Sequence, residues 1–182
     1  MTKRLIFLGP PGAGKGTQAE RICKIRNLLH LSTGDLLRAE VTAATSLGKE
    51  AEDLMNKGEL VSDEIVLSIV EKKLLLANQG WLLDGFPRNV SQAESLGTLL
   101  EKVSQPIDLV ILLEIDDEVL VERLIARGRA DDNEKVIRNR LLVYREKTSP
   151  LINYYTKLGI LTSVQARGNV EDISGMIEEK IG

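Results

Sequence analysis

The chain has 182 residues, 43% of them hydrophobic, with a formal net charge of −3. That length and apolar content suit one α/β domain with a real core. The acidic balance, with a pI near 5.4, argues against a nucleic-acid partner held by bulk electrostatics, so positive charge for any phosphate ligand has to be placed locally. The single cysteine, Cys23, excludes an internal disulfide and suits a reducing compartment. No apolar run is long enough for a bilayer, and residues 5–8 are too short for a signal-peptide core, so the expected location is the cytoplasm, away from any membrane.

Residues 5–8 form an apolar run that stops at Gly9-Pro-Pro-Gly-Ala-Gly-Lys-Gly-Thr17 and resumes as a helix-compatible sequence. This predicts a strand, a loop and a helix. Glycines at such a turn let backbone N–H groups converge on an anion at the positive end of the helix dipole. The spacing of Gly9, Gly14 and Lys15 fits a phosphate-binding loop, whose lysine reaches terminal phosphates and whose following hydroxyl holds magnesium. Here Gly16 follows the lysine and the hydroxyl of Thr17 comes one place late. A dinucleotide fingerprint over Gly14, Gly16 and Ala19 is the weaker reading, because Asp35 does not end a second strand and the lysine has no role in it.

Cys23 falls on the first helix, where a small buried role is expected. Ser32 and Asp35 then have the spacing of a capping box. Arg38 has Asp35 three places before it as an ordinary helical partner. His30, the only histidine, has no ligand-type neighbour at metal spacing and reads as structural. Leu47, Ala51, Leu54 and Met55 mark a helix stopped by Gly58, and Ser62 caps the next one. The stretch from 33 to 70 is thus a helical insertion between strands, where a second ligand could be gripped.

Further strand-like runs lie at 81–83, 109–115 and 160–164, alternating with helical patterns as in a parallel sheet covered on both faces. Asp84 ends the first of these, where a carboxylate beside a phosphate loop holds magnesium or its waters. Arg88 follows Pro87, which fixes the local backbone. Arg123 and Arg127 stand four apart on one helical face; Arg123 has no acidic residue at contact spacing and Arg127 has only Asp131, beyond the helix breaker Gly128, which asks for an external anion. On the helix read from Asp132 onward, with Asp131 or Asp132 as cap and Asp131 and Glu134 at box spacing, Arg138 has Glu134 as a surface partner. Arg140 instead emerges among Val136, Ile137, Val143 and Tyr144, so it should point towards the protein body. Gly168 and Asn169 turn the chain after the last strand into a final helix carrying Val170, Ile173, Ile177 and Ile181.

Together the loop from Gly9 to Thr17, the stretch Leu31-Ser-Thr-Gly-Asp-Leu-Leu-Arg38, the stretch Leu83-Asp-Gly-Phe-Pro-Arg88 with Gln92, and Arg129-Ala-Asp-Asp-Asn133 resemble the adenylate kinase family essentially end to end. The Gly-Thr pair after the lysine is the form that family uses. The resemblance implies a five-stranded parallel sheet flanked by helices, with a core over 1–31, 62–126 and 133–182, a monophosphate-binding insertion over 32–61 and a short lid over 127–132. It implies ATP, AMP and ADP as ligands, magnesium with ATP, a monomeric chain, and phosphoryl transfer from ATP to AMP.

The same resemblance assigns Gly12, Ala13, Gly14, Lys15, Gly16, Thr17, Arg123, Arg127 and Gly168 to ATP. It assigns Thr33, Arg38, Glu59, Leu60, Val61, Gly85, Phe86, Pro87, Arg88 and Gln92 to AMP. Arg129 and Arg140 would converge on the transferring group and AMP, and Lys15, Arg88, Arg123, Arg129 and Arg140 would act in catalysis. Magnesium would be organised by Asp84 through water, with Thr17 as a further hydroxyl. The longer lid of many bacterial members is absent, and zinc with it. The nearest rival is a UMP/CMP kinase of the same architecture, whose members resemble this chain but usually carry Ala and Asn where Thr33 and Gln92 stand. A GTP-binding switch would need Asn-Lys-x-Asp, and Asn56-Lys57-Gly58-Glu59 has the wrong last residue.

Overall fold

Alternation within short apolar runs decides the sheet. In β1 (Arg4–Leu8) Leu5 and Phe7 enter one hydrophobic layer while Ile6 and Leu8 enter the other, so the strand is buried on both faces as parallel strands require. The computed structural model describes residues 3–77, 79–129 and 133–182. After β1 come α1 (Lys15–Arg26), β2 (Leu29–Ser32), α2 (Thr33–Thr42), α3 (Ser46–Lys57) and α4 (Asp63–Leu75). Then follow β3 (Trp81–Asp84), α5 (Val90–Lys102), β4 (Leu109–Glu114), α6 (Asp117–Arg127) and α7 (Glu134–Val143). A π-helical turn (Tyr144–Thr148), α8 (Pro150–Lys157), β5 (Leu161–Gln165) and α9 (Val170–Ile181) complete the order.

Among the described residues the strands form one five-stranded parallel sheet in the order β2-β3-β1-β4-β5. One layer sets Leu5, Phe7, Leu82, Ile111 and Leu113 against Ile22, Leu120, Ile137 and Ile177 of the helices on that side. The other sets Ile6, Leu83, Val110 and Leu112 against Val70, Leu96, Leu100 and Tyr155. Each fully buried Leu or Ile contributes about 1.5–3 kcal/mol relative to exposure, so the layers supply the main stabilising term. Cys23 is buried in the first layer, as its helical position predicts.

The chain leaves β1, builds β2 and β3 on one side, then crosses to β4 on the other. Such a reversal opens a crevice beyond the carboxyl ends of the strands. The register pairs Asp84 with Phe7 on one side and with Ser32 on the other, so the last residues of β1, β2 and β3 reach the same edge.

Several sequence expectations change. The apolar runs mark four strands, whereas β2 lies on the sheet edge as Leu-His-Leu-Ser, too short and polar to stand out beside the capping signal that overlaps it. Ser32 does cap α2, accepting the Asp35 N–H at 3.3 Å, and Gly58 takes the C-cap of α3 with φ 74°. Ser62 occupies the N-cap of α4 without a side-chain capping bond. The helix expected from Asp132 begins at Glu134 and is capped by Asn133, whose Oδ1 accepts the Val136 N–H at 3.0 Å. The proposed caps Asp131 and Asp132 lie outside the described residues. That helix is also shorter than expected, giving way to the π-helical turn before Pro150 starts α8 at a position where a missing N–H costs nothing. Among the described residues no helix is long and apolar enough to cross a membrane.

Candidate active site

The loop after β1 ends in Gly14, the N-cap of α1, at φ 93° and with no side-chain cap. Glycine adopts that left-handed conformation without steric cost, and the first N–H groups of α1 stay available to an anion. A cavity of about 1050 Å³ opens here, lined by Gly12, Ala13, Gly14, Lys15, Gly16 and Thr17. Lys15 Nζ donates to the carbonyls of Gly9 at 2.9 Å and Pro10 at 3.1 Å. Burial lowers its pKa to about 8; the Asp84 carboxylate opposes this and the charges of Arg88 and Arg127 add to it. A Cβ at Gly16 would sit 3.4 Å from Asp84 Oδ2, so position 16 lies directly beside the strand-end carboxylate.

The opposite wall comes from the segment between β2 and β3 and from the loop after β3. Thr33, Arg38, Glu59, Leu60 and Val61 line the cavity, as do Gly85, Pro87, Arg88 and Gln92. Thr33 is buried and its Oγ1 donates to the Gly85 carbonyl at 3.0 Å. Gly85 has φ 83°, and a Cβ there would lie 3.0 Å from Thr33 Oγ1 and 3.2 Å from Arg88 Nη2, so only glycine allows this approach. Arg88 Nε donates to the Gly85 carbonyl at 2.7 Å, and the Arg88 carbonyl accepts Thr148 Oγ1 at 2.6 Å. Burial depresses the Arg88 pKa, with Asp84 opposing and Arg38 reinforcing. Gln92 is 2% exposed; its Oε1 accepts the Arg88 N–H at 2.6 Å and its Nε2 donates to Asp63 Oδ1 at 2.7 Å.

The Phe86 ring is 1% exposed in the layer that holds Trp81 and Leu96 and does not line the cavity, so between Gly85 and Arg88 this residue has only its backbone to offer a ligand. The Phe86–Pro87 peptide is cis.

The remaining cations enter from α6, α7 and the segment between them. Arg123, Arg127, Arg129 and Arg140 all line the same cavity, with Gly168 at its rim. Arg123, read as unpaired because it has no acidic neighbour on its helix, gains a partner from elsewhere: its Nη2 donates to the Ala166 carbonyl at 3.2 Å, brought over by the end of β5. Arg38 pairs with Asp35, as its spacing allows, and Arg129 Nη2 approaches the same carboxylate at 3.8 Å. Burial alone would raise the Asp35 pKa, but bonds from Arg38 and Ser32 and the charges of Arg38 and Arg129 bring it below the ordinary value. Arg140 is half-buried with its pKa lowered to about 10, first by burial and then by the like charges of Arg127, Arg88, Arg38 and Arg129. That repulsion is the electrostatic signature of arginines from separate elements converging on one point. The end of α3 rests on α7, with Asn139 Nδ2 donating to the Lys57 carbonyl at 2.5 Å.

Arg138 faces away and pairs with Glu134 at 2.7 Å, with both side chains largely exposed. Exposed pairs of this kind contribute about 0.3–0.5 kcal/mol. Accordingly Arg138→Ala is expected to leave turnover and melting temperature nearly unchanged; a hundredfold loss of turnover would contradict this sorting of the arginines.

His30 and Asp63 lie where sequence patterns gave little signal. His30 lines the cavity with Nε2 3.8 Å from Asp84 Oδ2. Asp63 collects Asn89 Nδ2 at 3.1 Å as well as Gln92. Among the described residues no cluster of His, Cys, Asp or Glu forms a cage for a metal ion. Asp84 and Thr17 nonetheless fit magnesium, which takes one or two carboxylates together with substrate phosphates in place of an all-protein cage.

The comparisons with known proteins agree with this geometry. The adenylate kinase family model matches residues 7–160. The chain is 63% identical over 181 residues to an adenylate kinase of Prochlorococcus marinus (strain MIT 9313), covering 100% of both chains. It is 64% identical over 182 residues to one of Synechococcus sp. (strain WH7803), again covering 100% of both. It is 65% identical over 178 residues to one of Parasynechococcus marenigrum (strain WH8102), covering 97% of each. A phosphate loop facing a bowl of convergent arginines, on a chain matched from end to end at this identity, belongs to the adenylate kinase family of phosphotransferases.

Proposed function

We propose that this phosphotransferase moves the terminal phosphoryl group of ATP to AMP, reversibly and with magnesium, to give ADP on both sides. The observation that carries the reading is the single cavity shared by the glycine loop, Lys15 and arginines from five separate parts of the chain. ATP phosphates would lie on Gly12 to Thr17, with Arg123 and Arg127 on the lid side and Gly168 against the base. AMP would take the other wall, with Thr33, Arg38, the 59–61 backbone, Gly85, Pro87, Arg88 and Gln92. Arg129 and Arg140 would meet the transferring group. In this reading 32–61 is the AMP-gripping insertion and 127–132 a short lid, of which residues 130–132 lie outside the described set.

The attacking AMP phosphate oxygen is already largely ionised, since a phosphate's second pKa is about 6, so no general base is needed. Lys15 would exchange its bonds to the Gly9 and Pro10 carbonyls for phosphate oxygens, and the arginines would spread the charge that develops during in-line transfer. Magnesium, when bound near Asp84 and Thr17, would neutralise phosphate charge. Closure of the insertion and the short lid over the nucleotides would exclude water, which would otherwise accept the phosphoryl group. Both substrate walls come from one chain, which favours a monomer, and the lone buried thiol suits the cytoplasm. A coupled assay offering AMP, CMP, UMP or GMP with ATP tests the reading. AMP is expected to be preferred; preference for CMP or UMP would overturn it in favour of a pyrimidine nucleotide kinase.

A further inference from the structure

The side-chain amide of Gln92 is held at both ends. Its Oε1 accepts the Arg88 backbone N–H at 2.6 Å and its Nε2 donates to Asp63 Oδ1 at 2.7 Å. The same carboxylate oxygen accepts Asn89 Nδ2 at 3.1 Å, so Asp63, in the first turn of α4, ties down the start of α5. Gln92 is 2% exposed yet forms part of the cavity wall.

A primary amide offers two N–H donors and two lone pairs. With one of each engaged, one donor and one acceptor remain. Their order cannot be exchanged cheaply. A flipped amide would set Nε2 against the Arg88 N–H, donor against donor, and Oε1 against the Asp63 oxygen that accepts in the observed arrangement, acceptor against acceptor. In a site this buried, such unmet groups carry their full desolvation cost.

We propose that Asp63 is a specificity-determining residue: by fixing the polarity of the Gln92 amide, it makes the monophosphate site select a 6-aminopurine over a 6-oxopurine. The inference rests on the reading above, in which Gln92 meets the AMP base. Adenine presents an amino donor at position 6 beside a ring-nitrogen acceptor, which complements the free lone pair and free N–H of the amide. A 6-oxopurine presents an acceptor at position 6, which opposes that lone pair. Asp63 does not touch the nucleotide and acts as a positioning residue. If it served only as a first-turn acid favouring the helix dipole, its loss would affect stability and leave the choice of base alone.

The test measures kcat and KM with ATP for AMP and for IMP, which differ at the 6-position edge, in wild type, Asp63→Ala and the isosteric Asp63→Asn. Asp63→Ala is expected to reduce the AMP-to-IMP ratio of kcat/KM by roughly tenfold or more, chiefly through KM, since a mispaired buried group is what normally rejects the analogue. Asp63→Asn, which can turn its own amide, is expected to shift the ratio the same way by less. An unchanged ratio in Asp63→Ala, or equal losses on both nucleotides, would overturn the inference whatever the melting temperature. Should Asp63→Ala not fold, an unchanged ratio in Asp63→Asn would do the same. A wild type inactive on AMP would instead remove the underlying reading, and the inference with it, before any variant is compared.

Discussion

Replacing Lys15 with methionine is expected to lower turnover by about 10³-fold or more, the scale seen when a charge stabilising the transferring phosphoryl group is lost. Methionine keeps most of the length and packing of the stem and removes the charge, so the change isolates electrostatics. In the free protein the ammonium is occupied by two loop carbonyls, at 2.9 and 3.1 Å, and is held at a pKa of about 8 mainly by burial. A large melting shift with normal turnover would mark Lys15 as a structural residue.

A pH signature accompanies that prediction. Below about 8 Lys15 is protonated in both folded and unfolded chains; between about 8 and its ordinary value of 10.5 the unfolded chain holds more protons. The Lys15 contribution therefore makes the free protein more stable as pH rises through that interval. Phosphate oxygens act in the opposite sense by favouring the charged form. ATP binding near pH 9 is expected to take up a proton, read by titration calorimetry in buffers of different ionisation enthalpy. The uptake should vanish in Lys15→Met, and equal uptake in the variant would assign it to another group.

The second large effect is expected at Arg88 and Arg140, where alanine should cost about 10²-fold or more in turnover with melting temperatures near wild type. Arg140 is crowded by like charges at a half-buried position, so removing it relieves repulsion that partly offsets the lost packing of its stem. Arg88 gives up one bond to the Gly85 carbonyl, a net loss of about 1.5–3 kcal/mol for a charged donor. Lysine should rescue Arg88 poorly, because an ammonium lacks the planar fork that can bond a carbonyl and a phosphate together. Normal turnover with a strongly lowered melting temperature would overturn both assignments.

What the sequence made legible was local. The strand, glycine loop and helix around Lys15, the strand-end Asp84, the pairs of Arg38 with Asp35 and Arg138 with Glu134, and the inward-facing Arg140 all follow from spacing within one or two elements. What stayed hidden depends on elements distant in sequence. The partner of Arg123 is a carbonyl 43 residues away, beyond the reach of helical periodicity. Asp63 gains its place only because α4 and α5 start side by side, which brings it to an amide 29 residues further on. β2 was obscured because its alternating pattern runs straight into the Ser32 cap. Phe86 stands inside a polar-looking motif, and only the packing of its ring separates it from its neighbours.

The native thiol has a practical use. Cys23 is the only cysteine, 7% exposed, with its thiol pushed up to about 12 by burial and by the charge of Asp84. Since the thiolate is the species that alkylates, maleimide dyes at neutral pH should pass it by. Cysteines introduced on the outer faces of α3 and α6 could then carry a fluorophore pair straddling the nucleotide bowl, reporting its width in a background that needs no prior mutation.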